Sequence, residues 1–159
     1  MTADGTRVKR IARLATDGGV TIATSESLTS GIVATRLGEG PDAAQWFRGG
    51  VIAYQEGVKF DLLGVAEGPV VTAECAEQMA SGARKLLGAD VVVSATGVGG
   101  PEPSEGKPPG TVFLAVVTPT GATVRELALD GDPEEVLHGV ASASLGLLED
   151  VLEGDQPDR

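Results

Sequence analysis

Three short stretches of this sequence carry the hydroxyls, the amine and the glycines from which a site for an anion or an oxyanion can be built. The first is Thr24-Ser25-Glu26-Ser27-Leu28-Thr29-Ser30-Gly31. It sets several hydroxyls and a carboxylate ahead of a short apolar segment, Ile32 to Leu37. Free N–H groups at a helix start favour an anion, or an oxygen that becomes anionic in a transition state. The same residues also serve a plainer purpose, with Thr29 or Ser30 capping the helix and Ser25 and Ser27 filling a turn. The second stretch is Tyr54-Gln55-Glu56-Gly57-Val58-Lys59. A Lys takes the proton of a Ser hydroxyl when burial or neighbours lower its pKa. Left in water, Lys59 is an ordinary residue of a short helix. The third is Thr96-Gly97-Val98-Gly99-Gly100-Pro101-Glu102-Pro103. Its glycines let backbone amides approach a phosphate or carboxylate. Pro101 and Pro103 keep a helix from opening directly behind them, so it is not a dinucleotide fingerprint. A surface loop is the other reading, although loops this long in compact domains are usually functional.

The elements that must position these stretches follow from apolar period. Val8, Ile11, Ala12 and Ala15 share one helical face, and Gly18-Gly19 ends that helix. Val20 to Thr24 is a β-branched run suited to a buried strand. Gly31 to Leu37 reads as a short helix, Phe47 to Tyr54 as a strand, and Val58 to Leu63 as a helical piece closed by Gly64. Thr72 is a good N-cap with Glu74 in the first turn. Ala76, Met79, Ala83, Leu86 and Leu87 mark the buried stripe behind it, ended by Gly88. Val91 to Ala95 is the most strand-like run of the chain, and Gly97 to Pro109 has no apolar pattern. Thr111 to Thr118 and Thr123 to Leu129 flank Pro119-Thr120-Gly121-Ala122 as a hairpin. Val136, Val140, Leu147, Leu148 and Val151 make a final helix, with a fraying tail expected from Gly154. Helices alternating with buried strands predict a three-layer α/β/α sandwich with a mixed, mostly parallel sheet. One domain over 1–153 and a disordered tail over 154–159 are expected. In such sheets ligands bind beyond the carboxyl ends of strands, where all three stretches fall.

Composition bounds the function. The chain has 159 residues, with 12 Lys plus Arg against 23 Asp plus Glu, a net charge of −11. That length suits one core, and a chain of this size buries roughly 68–70% of its unfolded surface. The acidity opposes nucleic-acid binding, which needs clustered basic residues. No apolar run approaches the roughly 20 residues of a membrane span, and no secretory signal opens the chain, so a cytoplasmic protein is expected. One Cys and one His exclude a disulfide framework and a Cys-built zinc site, and make a His-rich metal centre or a Cys–His pair improbable. A Ser-His-Asp triad would have to recruit His138, which reads as structural or exposed. Cys75 reads as packing.

Taken in order, these motifs resemble the CinA C-terminal domain family, the competence/damage-inducible proteins whose active members are nicotinamide-nucleotide amidases. The stretch Glu26-Ser27-Leu28-Thr29-Ser30-Gly31 resembles that family's Glu-Ser-Cys-Thr-Gly-Gly motif. The likeness continues through Phe47 to Tyr54, Lys59, Leu63-Gly64-Val65, Ala95 to Pro101, Lys107 to Val112 and Gly131-Asp132, covering about Val8 to Leu152. The resemblance implies hydrolysis of the carboxamide of nicotinamide mononucleotide to nicotinic acid mononucleotide and ammonia. It implies Ser27 as nucleophile, Lys59 as its basic partner and Tyr54 as a helper. It implies a substrate contacted by Glu26, Thr29, Ser30, Gly31, Thr96, Gly97, Gly99 and Gly100. No cofactor and no metal are implied, and the family's habit implies a homo-oligomer. Longer relatives carry a further N-terminal domain, for which no room is expected here. Leu28 stands where the family has Cys and Ser30 where it has Gly. Pro133 and Leu137 stand where it has Arg, one of which belongs to the family's active site. Arg48, Arg125 or Lys107 are the available substitutes. The competing reading is a non-catalytic relative that binds a nucleotide-like ligand or a partner. A phosphate-transferring enzyme lacks a P-loop Lys and a clear magnesium ligand.

Overall fold

The computed structural model describes residues 2–154. The alternation read from the sequence folds as α1 (Ala3–Gly18), β1 (Ile22–Glu26), α2 (Ile32–Gly38), α3 (Ala43–Trp46), β2 (Phe47–Ile52), α4 (Glu56–Leu63), α5 (Ala73–Leu87), β3 (Val91–Gly97), β4 (Thr111–Thr118), β5 (Gly121–Ala128) and α6 (Pro133–Gly154). The punctuation is where the residue types put it. Gly19, Gly64 and Gly88 close α1, α4 and α5 in the left-handed conformation, which costs Gly no Cβ strain. Thr72 caps α5 by accepting from the Cys75 amide at 3.0 Å.

The sheet order is β2-β1-β3-β4-β5. β1 pairs parallel with β2 and β3, whereas β4 runs antiparallel to both β3 and β5. The three-layer sandwich with a mixed sheet is therefore as expected, with β4 the one reversed strand. Side chains alternate across each strand and build two separate cores. Val91, Val93 and Ala95 of β3, with Val112, Leu114 and Val116 of β4, pack beneath α1, α2 and α6. Val92 and Val117 face the other way, onto Met79, Ala80 and Ala83 of α5 and Leu63 of α4. Burying a Leu or Met side chain stabilises by roughly 1.5–3 kcal/mol, and both faces of β1, β3 and β4 are covered in this way.

Three local readings are corrected. Leu86 is 50% exposed, and Cys75 and Ala80 complete the buried stripe of α5 instead. The hairpin turn is two residues, Pro119-Thr120, because β5 already starts at Gly121; the Thr118 hydroxyl stabilises it by accepting from the Thr120 amide at 3.2 Å. Helix α3 has too few residues to show a period, and its Trp46 is anchored by donating to the Pro41 carbonyl at 2.9 Å. Gly154 is the last residue of α6, and the rest of the expected tail, 155–159, lies outside the described residues. Among the described residues no helix is long and apolar enough to cross a membrane.

Candidate functional site

The parallel strands β1, β2 and β3 bring their carboxyl ends to one edge of the sheet. There a cavity of about 360 Å³ opens, large enough for a small ligand. It is lined by Ser27 and Ser30 after β1, Tyr54, Glu56 and Lys59 after β2, and Thr96, Gly97, Gly99 and Gly100 at the end of β3. All three stretches singled out in the sequence thus meet in one place.

The first stretch divides its labour. The Ser27 amide donates to the Ala95 carbonyl at 3.1 Å, which carries the β1–β3 pairing one residue past the strand and fixes the backbone there. Its hydroxyl reaches the cavity with no partner among the described residues. The neighbouring Glu26 is buried. Its carboxylate accepts from the amides of Gly31 (3.2 Å), Val33 (3.0 Å) and Ala34 (3.0 Å), and from the Thr24 hydroxyl at 3.4 Å. Glu26 is therefore the cap of α2, satisfying amides that a helix start leaves without partners. Glu26, Thr29 and Gly31, expected to contact a substrate, lie outside the cavity lining. The alternative that Thr29 or Ser30 caps the helix fails. Gly31 holds the N-cap position at φ 100° with no side-chain bond, and the Thr29 hydroxyl is buried without a partner. Ser30 adopts φ 48°, a left-handed backbone that suits Gly better.

Lys59 is not a solvated helix residue. It is 2% exposed, and its ammonium donates to the Tyr54 carbonyl at 2.9 Å. Burial pushes its pKa below the ordinary lysine value, with Cys75, Glu56 and Glu105 acting in the opposite sense. Cys75 lies against the same group, and burial holds its thiol up at about 11, well above the range of a reactive cysteine. The Tyr54 ring is 65% exposed at the rim, so its link to Lys59 runs through its backbone carbonyl.

The glycine loop is tied down at two points that no local pattern announces. The Thr96 hydroxyl donates to the Val70 carbonyl at 2.8 Å. The Glu105 carboxylate accepts from the amides of Val70 (2.8 Å) and Val71 (2.9 Å). Val70, Val71 and Ser104 thereby join the cavity wall, as do Leu28 and Glu56. The sequence reading did not bring Val70, Val71 or Ser104 to the site. The partners of Glu105 lie 34 and 35 positions away in the chain, beyond the reach of any local pattern.

Pro133 and Leu137, at the start of α6, complete the lining. The basic residues offered as substitutes for arginine there do not reach it. Arg48 donates to the Leu87 carbonyl at 2.6 Å, and Arg125 pairs with Asp150 at 3.5 Å. Lys107 shares a backbone bridge with Ser104 without lining the cavity. His138 lies away from the cavity lining, its Nδ1 3.0 Å from the Arg36 guanidinium. No cluster of His, Cys, Asp and Glu suited to a metal occurs among the described residues.

The geometry has counterparts in known proteins. A CinA-like protein of Frankia casuarinae is 38% identical over 139 residues, 84% of this chain and 32% of the relative. A competence-damage inducible protein of Desulforamulus reducens is 38% identical over 149 residues, 91% of this chain and 36% of the relative. The chain thus spans about a third of the length of these curated relatives. The solved structure of a competence damage-inducible protein from Klebsiella pneumoniae superposes with a TM-score of 0.93 at 28% identity, covering 98% of this chain and all of that one. That of a competence/damage inducible protein from Agrobacterium tumefaciens superposes at 0.89, also at 28% identity, covering 96% and 97%. The profile of the CinA C-terminal domain matches residues 5–152, the whole span that carries the sheet and its three site loops, and the chain belongs to that family.

Proposed function

We propose that the chain is an amidase that hydrolyses the carboxamide of a nicotinamide nucleotide, nicotinamide mononucleotide, through Ser27 and Lys59. The observation that carries this reading is a lysine, buried and with a lowered pKa, in the same cavity as an unengaged serine hydroxyl. An amide is a poor electrophile, so its hydrolysis needs an activated nucleophile and donors for the developing oxyanion. Neutral Lys59 takes the Ser27 proton as the Ser27 oxygen adds to the carboxamide carbon. The protonated amine then delivers a proton to the departing nitrogen, the C–N bond breaks and ammonia leaves. Water opens the resulting ester, with Lys59 accepting its proton and returning one to Ser27. The Gly99 and Gly100 peptides line the same cavity and can offer oxyanion donors. Tyr54 assists by placing its carbonyl on Lys59, and Thr96 by holding the wall at Val70. A homo-oligomer working in the cytoplasm on a small nucleotide, with no cofactor, nucleic acid or membrane, belongs to the same reading.

A second reading, a relative that binds without turnover, is favoured by Pro133 and Leu137 at the rim. The assay that separates them is ammonia release from nicotinamide mononucleotide by the purified chain. Turnover is expected, with Ser27→Ala and Lys59→Ala each losing at least a hundredfold. A folded wild-type protein with no turnover at millimolar substrate would overturn the amidase reading.

A further inference from the structure

Three helices begin at or beside the cavity, and their starts are not alike. Glu26 takes three amides at the start of α2. At α6, Asp132 accepts from the Glu135 amide at 2.9 Å, and Glu135 accepts in return from the Asp132 amide at 3.1 Å. Helix α4, of eight residues, is different: its N-cap, Gln55, makes no side-chain bond to the first turn. The Val58 and Lys59 amides reach the Gln55 carbonyl at 3.2 and 3.4 Å. Those of Glu56 and Gly57 have no acceptor among the described residues.

Two side chains bring the chemistry to this free start. Ser27 is only 7% exposed, and its hydroxyl, without a partner among the described residues, lines the same cavity as Glu56. The Lys59 side chain folds back along its own helix to the Tyr54 carbonyl, one residue before the N-cap, so its amine lies at the start of α4. The backbone amide of Ser27 itself is engaged by the Ala95 carbonyl at 3.1 Å and is not free to serve as a donor.

We infer that the free amides of Glu56 and Gly57 form the oxyanion hole of the reaction. The inference rests on the amidase reading and adds the group that receives its developing charge. As the Ser27 oxygen bonds to the carboxamide carbon, its proton passes to Lys59 and the carbonyl π pair moves onto the carboxamide oxygen. Two amides at the positive end of a helix stabilise that oxygen. When ammonia leaves with the proton from Lys59, the pair returns and the C=O bond re-forms. The glycine loop also has amides to offer, but only the start of α4 holds its donors beside the base.

Position 56 separates the amide from the side chain. Gln55 has the extended ψ, 150°, that a following proline requires, and the first helical position accepts proline. Glu56→Ala removes the carboxylate and keeps the N–H, whereas Glu56→Pro removes both. For ammonia release from nicotinamide mononucleotide, each variant at its pH maximum, kcat is expected to be about a hundredfold lower in Glu56→Pro than in Glu56→Ala, the worth of one oxyanion donor. KM is expected to change far less. Pyridine-3-boronic acid, whose boron takes the Ser27 oxygen and becomes a tetrahedral anion, is expected to inhibit Glu56→Pro at least about tenfold more weakly than Glu56→Ala. Should Glu56→Pro fail to fold by urea unfolding, Gly57→Pro against Gly57→Ala, whose Cβ meets nothing within 4 Å, is expected to show the same loss. A kcat difference below about tenfold between folded variants overturns the inference, leaves the amidase reading standing and assigns the oxyanion to the Gly99 and Gly100 amides. A kcat loss with unchanged boronate inhibition overturns it too, because the proline then acts by displacing Lys59. Wild-type protein that releases no ammonia overturns the amidase reading and this inference with it.

Discussion

Replacing Lys59 by Met keeps most of the side-chain volume and removes the amine, and it separates the cost of that residue from its use. The informative quantity is the pH dependence of the stability difference between the two proteins. In the unfolded chain Lys59 titrates at its ordinary value of 10.5, and in the folded chain burial lowers that value. Between the two pKa values the unfolded state binds one proton that the native state does not. The wild type therefore gains stability relative to Lys59→Met as pH rises through that window, at up to about 1.4 kcal/mol per pH unit. Below the folded pKa both states are protonated and the difference is flat, at its most unfavourable to the wild type. Cys75 acts with the opposite sign. Its thiol titrates at 9.0 unfolded and about 11 folded, so above pH 9 it lowers stability in both proteins. Urea unfolding from pH 6 to 9 avoids that overlap. Two curves that stay parallel over the whole range would show that Lys59 keeps its proton in the folded state. It could not then act as a base at those pH values. Ammonia release by the wild type is expected to rise over the same interval in which the curves converge.

Three further outcomes test the surroundings. Glu26→Ala leaves three helix amides without their carboxylate, and a loss of about 3 kcal/mol or more in urea unfolding is expected; Glu26→Gln, which keeps an acceptor of the same shape, loses less. Ser30→Gly relieves a left-handed backbone and is expected to raise stability by up to about 1 kcal/mol in the same assay. In Gly82→Ala the new Cβ lands on the Leu63 carbonyl, where α5 crosses the end of α4. A cost of about 1–3 kcal/mol is expected, and because α4 carries Lys59, activity measured well below the melting temperature should fall as well.

The fold was legible because its punctuation is local. Each glycine that closes α1, α4 and α5 needs only its own φ, and the β-branched runs at Val20 and Val91 need only a buried slot. Leu86 misled for the same reason. A helical period marks one face but not its width, and here α4 and the sheet cover the side of α5 carrying Cys75 and Ala80 instead. The site was legible as three loops, since topology alone sends the ends of parallel strands to one edge. What each loop residue does was not. Glu26 and Ser27 are adjacent polar residues at a strand end, and strand alternation sends them to opposite sides. Only the packing of α2 decides which of them is a cap and which faces a ligand. The burial of Lys59 and the reach of Glu105 to Val70 and Val71 likewise depend on distant segments.

Those distant contacts set the protonation state of the proposed base. A base that must be neutral near neutral pH is sensitive to every charge in its cavity. A fixed pyridinium charge there would favour the neutral amine that the reaction needs. Glu56 and Glu105 already act in the unfavourable direction, and burial is what outweighs them. Leu137→Arg then has a defined expected effect. A guanidinium at the rim should lower the Lys59 pKa further and shift the rise of the pH–rate profile to lower pH, even with a substrate that carries no phosphate. A profile that shifts only with the mononucleotide would mean that the arginine acts on the ligand alone, and that Lys59 is insulated from the rim.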